Sequence, residues 1–499
     1  MVFSDPLFLV GFLPASLIIF HLLRGHAGGA NAQWALVILS MIFYAYWSIP
    51  FLCLLLAQIA VNYYFARELE ATHDRVLLRW AVVLNLCLLG YFKYRNFFLE
   101  NAGDFFGVHF NLVALVVPLG ISFHTFQQIA ILVDIKNKQA ETPPLLNYVL
   151  FVLFFPQLIA GPIVLHREMG RQVVALRAGL GPGLNWLVPG ALIFVFGLFK
   201  KVCLADNIAH YADLAFMPNQ ELMALEAWAG SVAYMLQLFF DFSGYSEMAV
   251  GLGMMFGFAL PNNFLIPYSA TSMVEFWKRW HITMTRFFMM YVNTPLWLRL
   301  RRRLRGWAYY QQHPKPALEF GVTVALPVLI TFFLAGLWHG AGWTFICFGL
   351  VNGIGLVINQ GWNTVGLPSL PKPLGWTLTM LVTIVGLVYF RSQDLAQAHY
   401  ILHQMFLAPD ALSVPTWASS FVPFDLPART YSFLGDLRSA LYCFYWIALL
   451  GILAVTLPPL AANPQALKPS MSKAFAMTSM AWLIAGLIGE PRTFLYFAF

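Results

Sequence analysis

Charged residues are scarce in this sequence. Of its 499 residues only 10% are Asp, Glu, Lys or Arg, whereas an ordinary soluble domain has about 25%. Hydrophobic residues make up 60% of the chain and aromatic residues 16%. This balance excludes a soluble globular enzyme and indicates a protein that crosses a lipid bilayer several times.

Cysteines are also few, at five in the whole chain. They are scattered and lie mostly within apolar runs, where a cysteine is commonly a small buried residue. No two of them have the close spacing of a metal site or a redox motif. We therefore expect no disulfide and no zinc site from Cys53, Cys87, Cys203, Cys347 and Cys443.

Acidic residues are fewer than basic ones, which gives a net charge of +7. The basic residues concentrate in short connecting segments, above all in RLRRRLRG at 299–306. This pattern favours cytoplasmic loops over a nucleic-acid site. Asp5 precedes the first apolar run and Arg24 follows it, so we expect a retained helix with its N-terminus outside the cytoplasm.

Continuous apolar runs, rather than alternating ones, recur along the whole chain, so the predicted fold class is all-α. We expect about 11–13 transmembrane helices plus short, re-entrant ones. The segment 261–298 is too polar for a plain lipid-crossing helix and is expected to line a cavity. A loop with short helices is expected at 391–439. The candidate spans are 6–23, 33–49, 51–66, 77–92, 110–133, 146–165, 184–204, 227–258, 319–338, 342–360, 374–390, 440–458 and 474–490.

Ionisable or strongly polar side chains inside the apolar runs are costly unless they face protein or water. On a helix, Asp241 shares a face with Gln237 and Tyr245, which suits a structural hydrogen-bond network as well as catalysis. In EFWKRWHI, Trp277 and Trp280 beside basic residues suggest anchoring at a membrane interface. The candidates are His124, Gln157, Asp241, Glu247, Glu275 with the residues up to His281, and His339.

His339 lies between Trp338 and Gly340 at the end of an apolar run. An imidazole can accept and return a proton near neutral pH. Gly340 and Gly342 would leave room for a substrate to approach. From the residues alone, a hydrogen-bonded packing role for His339 is the favoured explanation, because that is the usual role of a lone histidine in a helix bundle.

The sequence resembles the membrane-bound O-acyltransferases, in particular the bacterial branch that contains the alginate O-acetyltransferase membrane subunit. The likeness covers roughly residues 90 to 499 and keeps the motif order. The segments that carry it are VVPLGISFHTFQ (116–127), FFPQLIAGPIV (154–164), GLFKKVCLADN (197–207), QLFFDFSGYSEMAVGLGMMFGF (237–258), PNNFLIPYSATSMVEFWKRWHIT (261–283), FLAGLWHGAGWTFICFGLVNG (333–353), VYFRSQDLAQA (388–398) and FLYFAF (494–499).

The resemblance implies a single integral membrane domain over 1–499, with helices around a central tunnel. It implies N-terminal helices at 1–90, a catalytic core at 90–360, and C-terminal helices with a loop at 361–499. The family's two signature histidines fall on His339 and His281. We expect His339 to act as general base and His281 to orient a substrate. Asp241 and Glu275 are expected to orient the rings, with Trp338 and Gln157 lining the tunnel.

The resemblance also implies an acetyltransferase that uses a cytoplasmic acyl thioester such as acetyl-CoA, with no tightly bound cofactor. It would act in the bacterial inner membrane on an exported polysaccharide such as alginate or cellulose. Expected partners are the lipid bilayer, a periplasmic esterase-like protein and a polysaccharide synthase or export complex. No nucleic-acid partner is expected.

Two departures from the family pattern limit what can be inferred about the acceptor. Glu247 stands where relatives have aspartate, and the usual paired glycines after FWKRWHIT are missing. Transfer of D-alanine, or of acetyl groups to peptidoglycan, by the same chemistry stays open, as does a transporter or flippase. The arginines at 299–305 could bind donor phosphates, although a topology-setting loop is the simpler explanation.

Overall fold

The computed structural model describes residues 2–113, 115–408, 413–416, 428–462, 470–487 and 494–495. Nearly all regular structure in these residues is helical. The exception is one parallel pair of two-residue strands, Val414–Pro415 and Ala428–Arg429. The predicted all-α fold is confirmed. Two predictions fall partly outside the described residues. One is the loop expected at 391–439, of which 409–412 and 417–427 are not described. The other is the span predicted at 474–490, whose end is not described.

Within the described residues, eight helical stretches are long and apolar enough to cross a membrane, and two shorter apolar helices, Gly29–Ala45 and Phe475–Gly486, add to them. The chain is therefore a multi-pass membrane protein. The long stretches are Leu7–His26, Ile49–Thr72, Arg75–Phe106, Gly183–Ala215, Pro316–His339, Trp343–Thr364, Lys372–Arg391 and Leu437–Ala462.

Two predicted spans differ from the observed helices. The span at 146–165 is broken at Phe154, whose ψ of 104° leaves the helical region, and Pro156 lies in the first turn of the next helix. The span at 110–133 becomes helical only at Ile121, directly after the left-handed Gly120. Pro156 lacks the backbone N–H that a continuous helix would bond to the carbonyl four residues earlier, which explains the first difference. The left-handed backbone of Gly120 lies outside the helical region, which explains why the second helix starts at Ile121.

The chain divides into two compact units. Unit 1 comprises Met1–Leu198, Tyr245–Asn262 and Leu460–Phe497. Its helices are Leu7–Phe12, Leu13–His26, Gly29–Ala45, Ile49–Thr72, Arg75–Leu89, Gly90–Tyr94, Arg95–Phe106, Ile121–Lys136, Leu145–Leu153, Phe155–Leu158, His166–Arg177, Gly183–Trp186, Leu187–Phe199, the C-terminal part of Ala224–Met255, Leu460–Ala462 and Met471–Leu487.

Unit 1 contains a close helix crossing and a buried polar cluster. A Cβ atom on Gly190 would come within 2.7 Å of the Gly251 carbonyl oxygen, so only glycine permits this approach. Elsewhere in the unit, the side chains of Gln58, Asn62 and Asn85 are buried and hydrogen-bonded to one another. We call these three residues the amide cluster.

Unit 2 comprises Phe199–Gly244, Asn263–Pro459 and Ala498–Phe499. Its helices are Lys200–Ala205, Asp206–Ala215, the N-terminal part of Ala224–Met255, Pro267–Ser269, Met273–Arg279, Ile282–Phe288, Met289–Asn293, Thr294–Gly306, Ala308–Gln312, Pro316–Phe320, Gly321–Ala325, Leu326–His339, Trp343–Thr364, Lys372–Arg391, Leu395–Phe406 and Leu437–Thr456.

The helices Leu326–His339 and Trp343–Thr364 of unit 2 pack with their backbones close together. A Cβ atom on Gly336 would meet the Phe345 carbonyl oxygen at 2.3 Å, and one on Gly349 would meet the Phe332 carbonyl oxygen at 2.2 Å. Glycine at both positions therefore allows the close approach. This packing fixes the end of the first helix, where His339 lies.

Candidate active site

The first signature histidine, His281, lies at a break between two short helices of unit 2. Its φ of 43° is left-handed, and the helices Met273–Arg279 and Ile282–Phe288 lie on either side. The backbone N–H of Ile282 donates to the Asn263 carbonyl oxygen at 2.9 Å, and the N–H of Leu265 donates to the Arg279 carbonyl oxygen at 2.9 Å. These two bonds pin the segment between Asn263 and Ile282 into a closed loop.

Asn263 also fixes the orientation and the tautomer of the His281 ring. Its Oδ1 accepts the backbone N–H of Thr283 at 3.2 Å, which requires that atom to be the amide oxygen. His281 Nδ1 lies 3.0 Å from the same oxygen. Because an amide oxygen only accepts hydrogen bonds, Nδ1 must carry the proton. In the neutral ring, Nε2 is then the basic nitrogen.

The second signature histidine, His339, is the last residue of the helix Leu326–His339. The expectation that Gly340 leaves room for a substrate is wrong. A Cβ atom on Gly340 would lie 2.1 Å from the Phe345 ring, so that aromatic side chain fills the space. Gly340 is therefore explained by close packing of Phe345.

The structure brings the two signature histidines together inside unit 2. Their ring centroids are 6.4 Å apart, although 58 positions separate them in the sequence. His281 is 0% exposed and His339 is 8% exposed. Trp338 packs with both, with centroid distances of 4.7 Å to His339 and 6.0 Å to His281. We call His281 and His339 the histidine pair.

Aromatic rings surround much of the histidine pair. Phe242 lies edge-on to His281 at 4.8 Å between centroids, and Phe390 lies edge-on to His339 at 5.2 Å. Apolar walls of this kind exclude water and strengthen electrostatic interactions between groups inside the site. Two imidazoles in such surroundings have the geometry to bind and deprotonate a hydroxyl group.

Asp241 forms an ion pair with a lysine that sequence reasoning did not single out. Lys201 Nζ lies 2.9 Å from Asp241 Oδ1 and 2.7 Å from Asp206 Oδ1, with Lys201 and Asp241 both buried. The pairing offsets the cost of placing each charge away from water. Asp241 thus belongs to a buried ionic cluster, and its predicted action on a histidine ring stays a prediction.

Glu275 is held by its own helix and the turn before it. One carboxylate oxygen pairs with Arg279, and the other accepts the backbone N–H of Thr271 at 2.7 Å and its hydroxyl at 3.1 Å. Both oxygens are therefore occupied in bracing the loop that carries His281. Any effect of Glu275 on the ring would act through this loop.

The tryptophans of EFWKRWHI are not interface anchors. Trp277 is 5% exposed and packs edge-on to Phe332 at 4.9 Å, and Trp280 is 7% exposed and packs with Phe264 at 5.1 Å. Their indoles fill the interior of unit 2. An interfacial tryptophan and a buried one have the same sequence signature, so the pattern alone could not separate them.

Gln157 and His124 belong to unit 1, whereas the histidine pair belongs to unit 2. Gln157 is buried, and its Nε2 donates to the Phe151 carbonyl oxygen at 2.6 Å. That hydrogen bond joins the residues on either side of the helix break at Phe154. The predicted tunnel-lining role of Gln157 stays a prediction.

Sequence reasoning missed Asn263 and Lys201. Both stand in segments that resemble the family, PNNF and LFKKV, so their position in a motif was the available signal. An asparagine two positions after a proline otherwise indicates a turn residue. Among the described residues, no group of three His, Cys, Asp or Glu side chains is arranged to hold a metal ion.

Comparison with known proteins identifies a family for this chain. The family model described as the membrane-bound O-acyltransferase family matches residues 39–308. The chain belongs to the membrane-bound O-acyltransferase family. It is therefore an acyltransferase, and the matched residues include His281, while His339 lies beyond them.

Three curated members illustrate the range of relatives in this family. The peptidoglycan O-acetyltransferase of Helicobacter pylori is 36% identical over 81% of this chain and 80% of its own length. The probable alginate O-acetylase AlgI of Azotobacter vinelandii is 34% identical over 93% and 88%. The teichoic acid D-alanyltransferase of Streptococcus thermophilus is 27% identical over 54% and 68%.

Proposed function

We propose that this protein transfers acetyl groups from a cytoplasmic acetyl thioester, such as acetyl-CoA, toward the hydroxyl groups of an exported polysaccharide. The observation that carries the proposal is the buried histidine pair, with centroids 6.4 Å apart. It occurs in a chain that aligns with O-acetylating enzymes over more than four-fifths of its length.

The proposed chemistry is a direct acyl transfer. The acceptor hydroxyl oxygen attacks the acetyl carbonyl carbon while His339 takes the hydroxyl proton, and the carbon–sulfur bond breaks. The departing thiolate then receives the proton from the His339 imidazolium. General-base assistance of this kind typically accelerates a reaction about 10²–10⁴-fold.

His281 has a complementary role in this proposal. Asn263 holds the proton on Nδ1, so Nε2 of the neutral ring can accept a hydrogen bond but cannot donate one. A sugar acceptor carries several neighbouring hydroxyl groups. We assign His281 Nε2 to bind one that does not react, which would orient the attacking hydroxyl toward the thioester.

The wider setting is part of the same proposal. The protein would lie in the bacterial inner membrane with its N-terminus in the periplasm. A periplasmic esterase-like partner would assist acetylation of the polymer, beside a synthase or export complex. The 36% identity to a peptidoglycan O-acetyltransferase supports peptidoglycan as a second candidate acceptor.

The test combines a donor assay with analysis of the acceptor. Purified protein in vesicles receives an oligosaccharide acceptor with either ¹³C-acetyl-CoA or a D-alanyl-loaded carrier protein, and thioester consumption is measured. Glycans and peptidoglycan from cells that carry wild type, His339→Ala or His403→Ala are then digested and examined by mass spectrometry. His403 is exposed on the helix Leu395–Phe406 of the same unit and provides a matched control.

We expect consumption of acetyl-CoA alone and one class of acetyl ester that is lost in His339→Ala and kept in His403→Ala. Loss of esters from peptidoglycan instead of an exported glycan would select the second candidate. Consumption of the D-alanyl carrier, or unchanged esters in His339→Ala, would overturn the proposal.

A further inference from the structure

A cleft of about 920 Å³ lies in unit 1 and does not include either member of the histidine pair. One part of its lining is the helix His166–Arg177, from which Arg167, Arg171 and Val174 contribute. These three positions are four and three residues apart, so they lie on one face of the helix. Two guanidinium groups are therefore presented along the same wall. We call this feature the basic cleft.

The rest of the lining comes from the end of the helix Ile49–Thr72 and from the turn after the helix Ile121–Lys136. Lys138 adds a third cation, while Glu70 and Glu141 add two carboxylates. Glu70 is already engaged, because its Oε1 accepts the backbone N–H of Thr142 at 3.2 Å. With three cations and two carboxylates among its lining residues, the cleft carries more positive than negative charge.

Two histidines add hydrogen-bonding groups to the basic cleft. His73 has a left-handed φ of 50°, and its Nδ1 is buried with no hydrogen-bond partner among the described residues. Burial lowers the pKa of His166 to about 4, so this ring is uncharged at neutral pH. A buried ring nitrogen beside three cations suits a ligand that brings oxygen atoms.

We propose that the basic cleft binds the phosphate head group of a membrane phospholipid. Arginine forks and a lysine match phosphate oxygens, and a volume of this size is within the range of about 300–1,000 Å³ typical of ligand sites. Location favours a lipid over a soluble phosphate ester. The cleft begins at His73, directly after a candidate membrane span, and Val174 at its edge is 58% exposed.

The experiment measures lipid binding by the full-length protein and does not depend on the acyl-transfer reaction. Protein in mixed micelles is titrated with phosphatidylglycerol, phosphatidylethanolamine or diacylglycerol, and the thermal midpoint and the lipid retained in native mass spectrometry are recorded. The variants are Arg167→Gln/Arg171→Gln and, as a milder change, Lys138→Gln. Arg177→Gln is the matched control, since Arg177 is exposed on the same helix but does not line the cleft.

In wild type and Arg177→Gln, we expect both phospholipids to raise the thermal midpoint in a saturable way, whereas diacylglycerol has no such effect. In the double variant, the half-saturating concentration should rise at least about tenfold, because two charges that attract phosphate are lost. Lys138→Gln should show a smaller shift in the same direction. It serves as the test if the double variant does not fold.

Equal responses to diacylglycerol and phospholipid in wild type would overturn the proposal, as would equal phospholipid binding by all variants. A third arm adds coenzyme A as a soluble phosphate ester. If coenzyme A displaces phospholipid from wild type and this competition disappears in Arg167→Gln/Arg171→Gln, the cleft binds a soluble phosphate. That outcome would reject the lipid assignment.

Discussion

The amide cluster of unit 1 and the histidine pair of unit 2 are both buried and polar, but they are built differently. In the amide cluster, Asn62 and Asn85 exchange reciprocal hydrogen bonds, at 3.1 Å and 2.6 Å, within regular helices. In the histidine pair, each ring lies at a helix boundary, and His281 has a left-handed backbone.

This difference separates buried polarity that holds helices together from buried polarity suited to chemistry. Neutral amides can satisfy one another and need no special backbone. Ionisable rings in an apolar setting are costly, and a left-handed φ in a non-glycine residue adds about 1–3 kcal/mol. The folded protein tolerates both energetic costs in the loop that Asn263 holds in place. We therefore expect changes at the histidine pair and its supporting loop to affect activity and changes in the amide cluster to affect stability alone.

The largest stability effect is expected at the ionic cluster of unit 2. Lys201→Met leaves the buried carboxylate of Asp241 without its lysine partner, and loss of one member of a buried pair typically costs about 3–5 kcal/mol. Thermal unfolding in detergent measures the effect. Lys201→Met/Asp241→Leu should recover part of the lost stability, because no isolated charge is left at that pair. A double variant as unstable as the single one would show that the pair does not act in this way.

The next effect concerns Asn263 as a positioning residue for His281. Asn263→Ala removes the acceptor for Nδ1–H, so we expect kcat for acetyl transfer to fall about 10–100-fold, with little change in the KM for the donor. Asn263→Asp keeps an acceptor oxygen and should retain more activity. Nitrogen-15 NMR of histidine-labelled protein should show one His281 tautomer in wild type and a mixture in Asn263→Ala.

A purely structural role for Asn263 would give a different result. In that case, Asn263→Ala would lower thermal stability and leave both the tautomer signal and kcat per folded molecule unchanged.

A smaller effect is expected in the amide cluster. Asn85→Ala leaves the amides of Gln58 and Asn62 without their shared partner, and an unsatisfied buried group costs about 1–3 kcal/mol. The thermal midpoint should fall while kcat per folded molecule stays within a factor of about two. A large loss of kcat without loss of stability would contradict the separation of the two regions.

The smallest effect is expected at His124 of unit 1. This histidine is buried inside the helix Ile121–Lys136, and neither ring nitrogen has a hydrogen-bond partner among the described residues. Replacing a buried, unpartnered polar ring with phenylalanine removes a desolvation cost. His124→Phe should therefore keep its activity and match or exceed wild-type stability. Loss of activity in this variant would place catalytic polarity in unit 1 as well.

Much of the helical framework could be predicted from the sequence. Predicted spans at 342–360 and 374–390 correspond to Trp343–Thr364 and Lys372–Arg391, because long apolar runs in lipid must satisfy their own backbone groups. The helix break at Phe154 could have been found from Pro156, since proline lacks the backbone N–H that a continuous helix would bond to the carbonyl four residues earlier.

The site was less accessible to sequence reasoning. Its two histidines stood out as polar residues, but their pairing came from the family motifs, because nothing in local periodicity brings positions 281 and 339 together. Asn263 was missed because its function depends on one oxygen that accepts hydrogen bonds from three donors of a segment about 20 residues away. Gly340 was misread because the sequence does not show that Phe345 folds back onto it. Tertiary contacts of this kind leave no local pattern.

The central claim is that the histidine pair performs the acyl transfer. Its most direct test is single-turnover transfer from ¹⁴C-acetyl-CoA to an oligosaccharide acceptor by folded wild type, His339→Ala, His281→Ala and His403→Ala. We predict rates about 10²–10⁴-fold below wild type for the two variants of the pair and a wild-type rate for His403→Ala. A wild-type rate in His339→Ala would contradict the account.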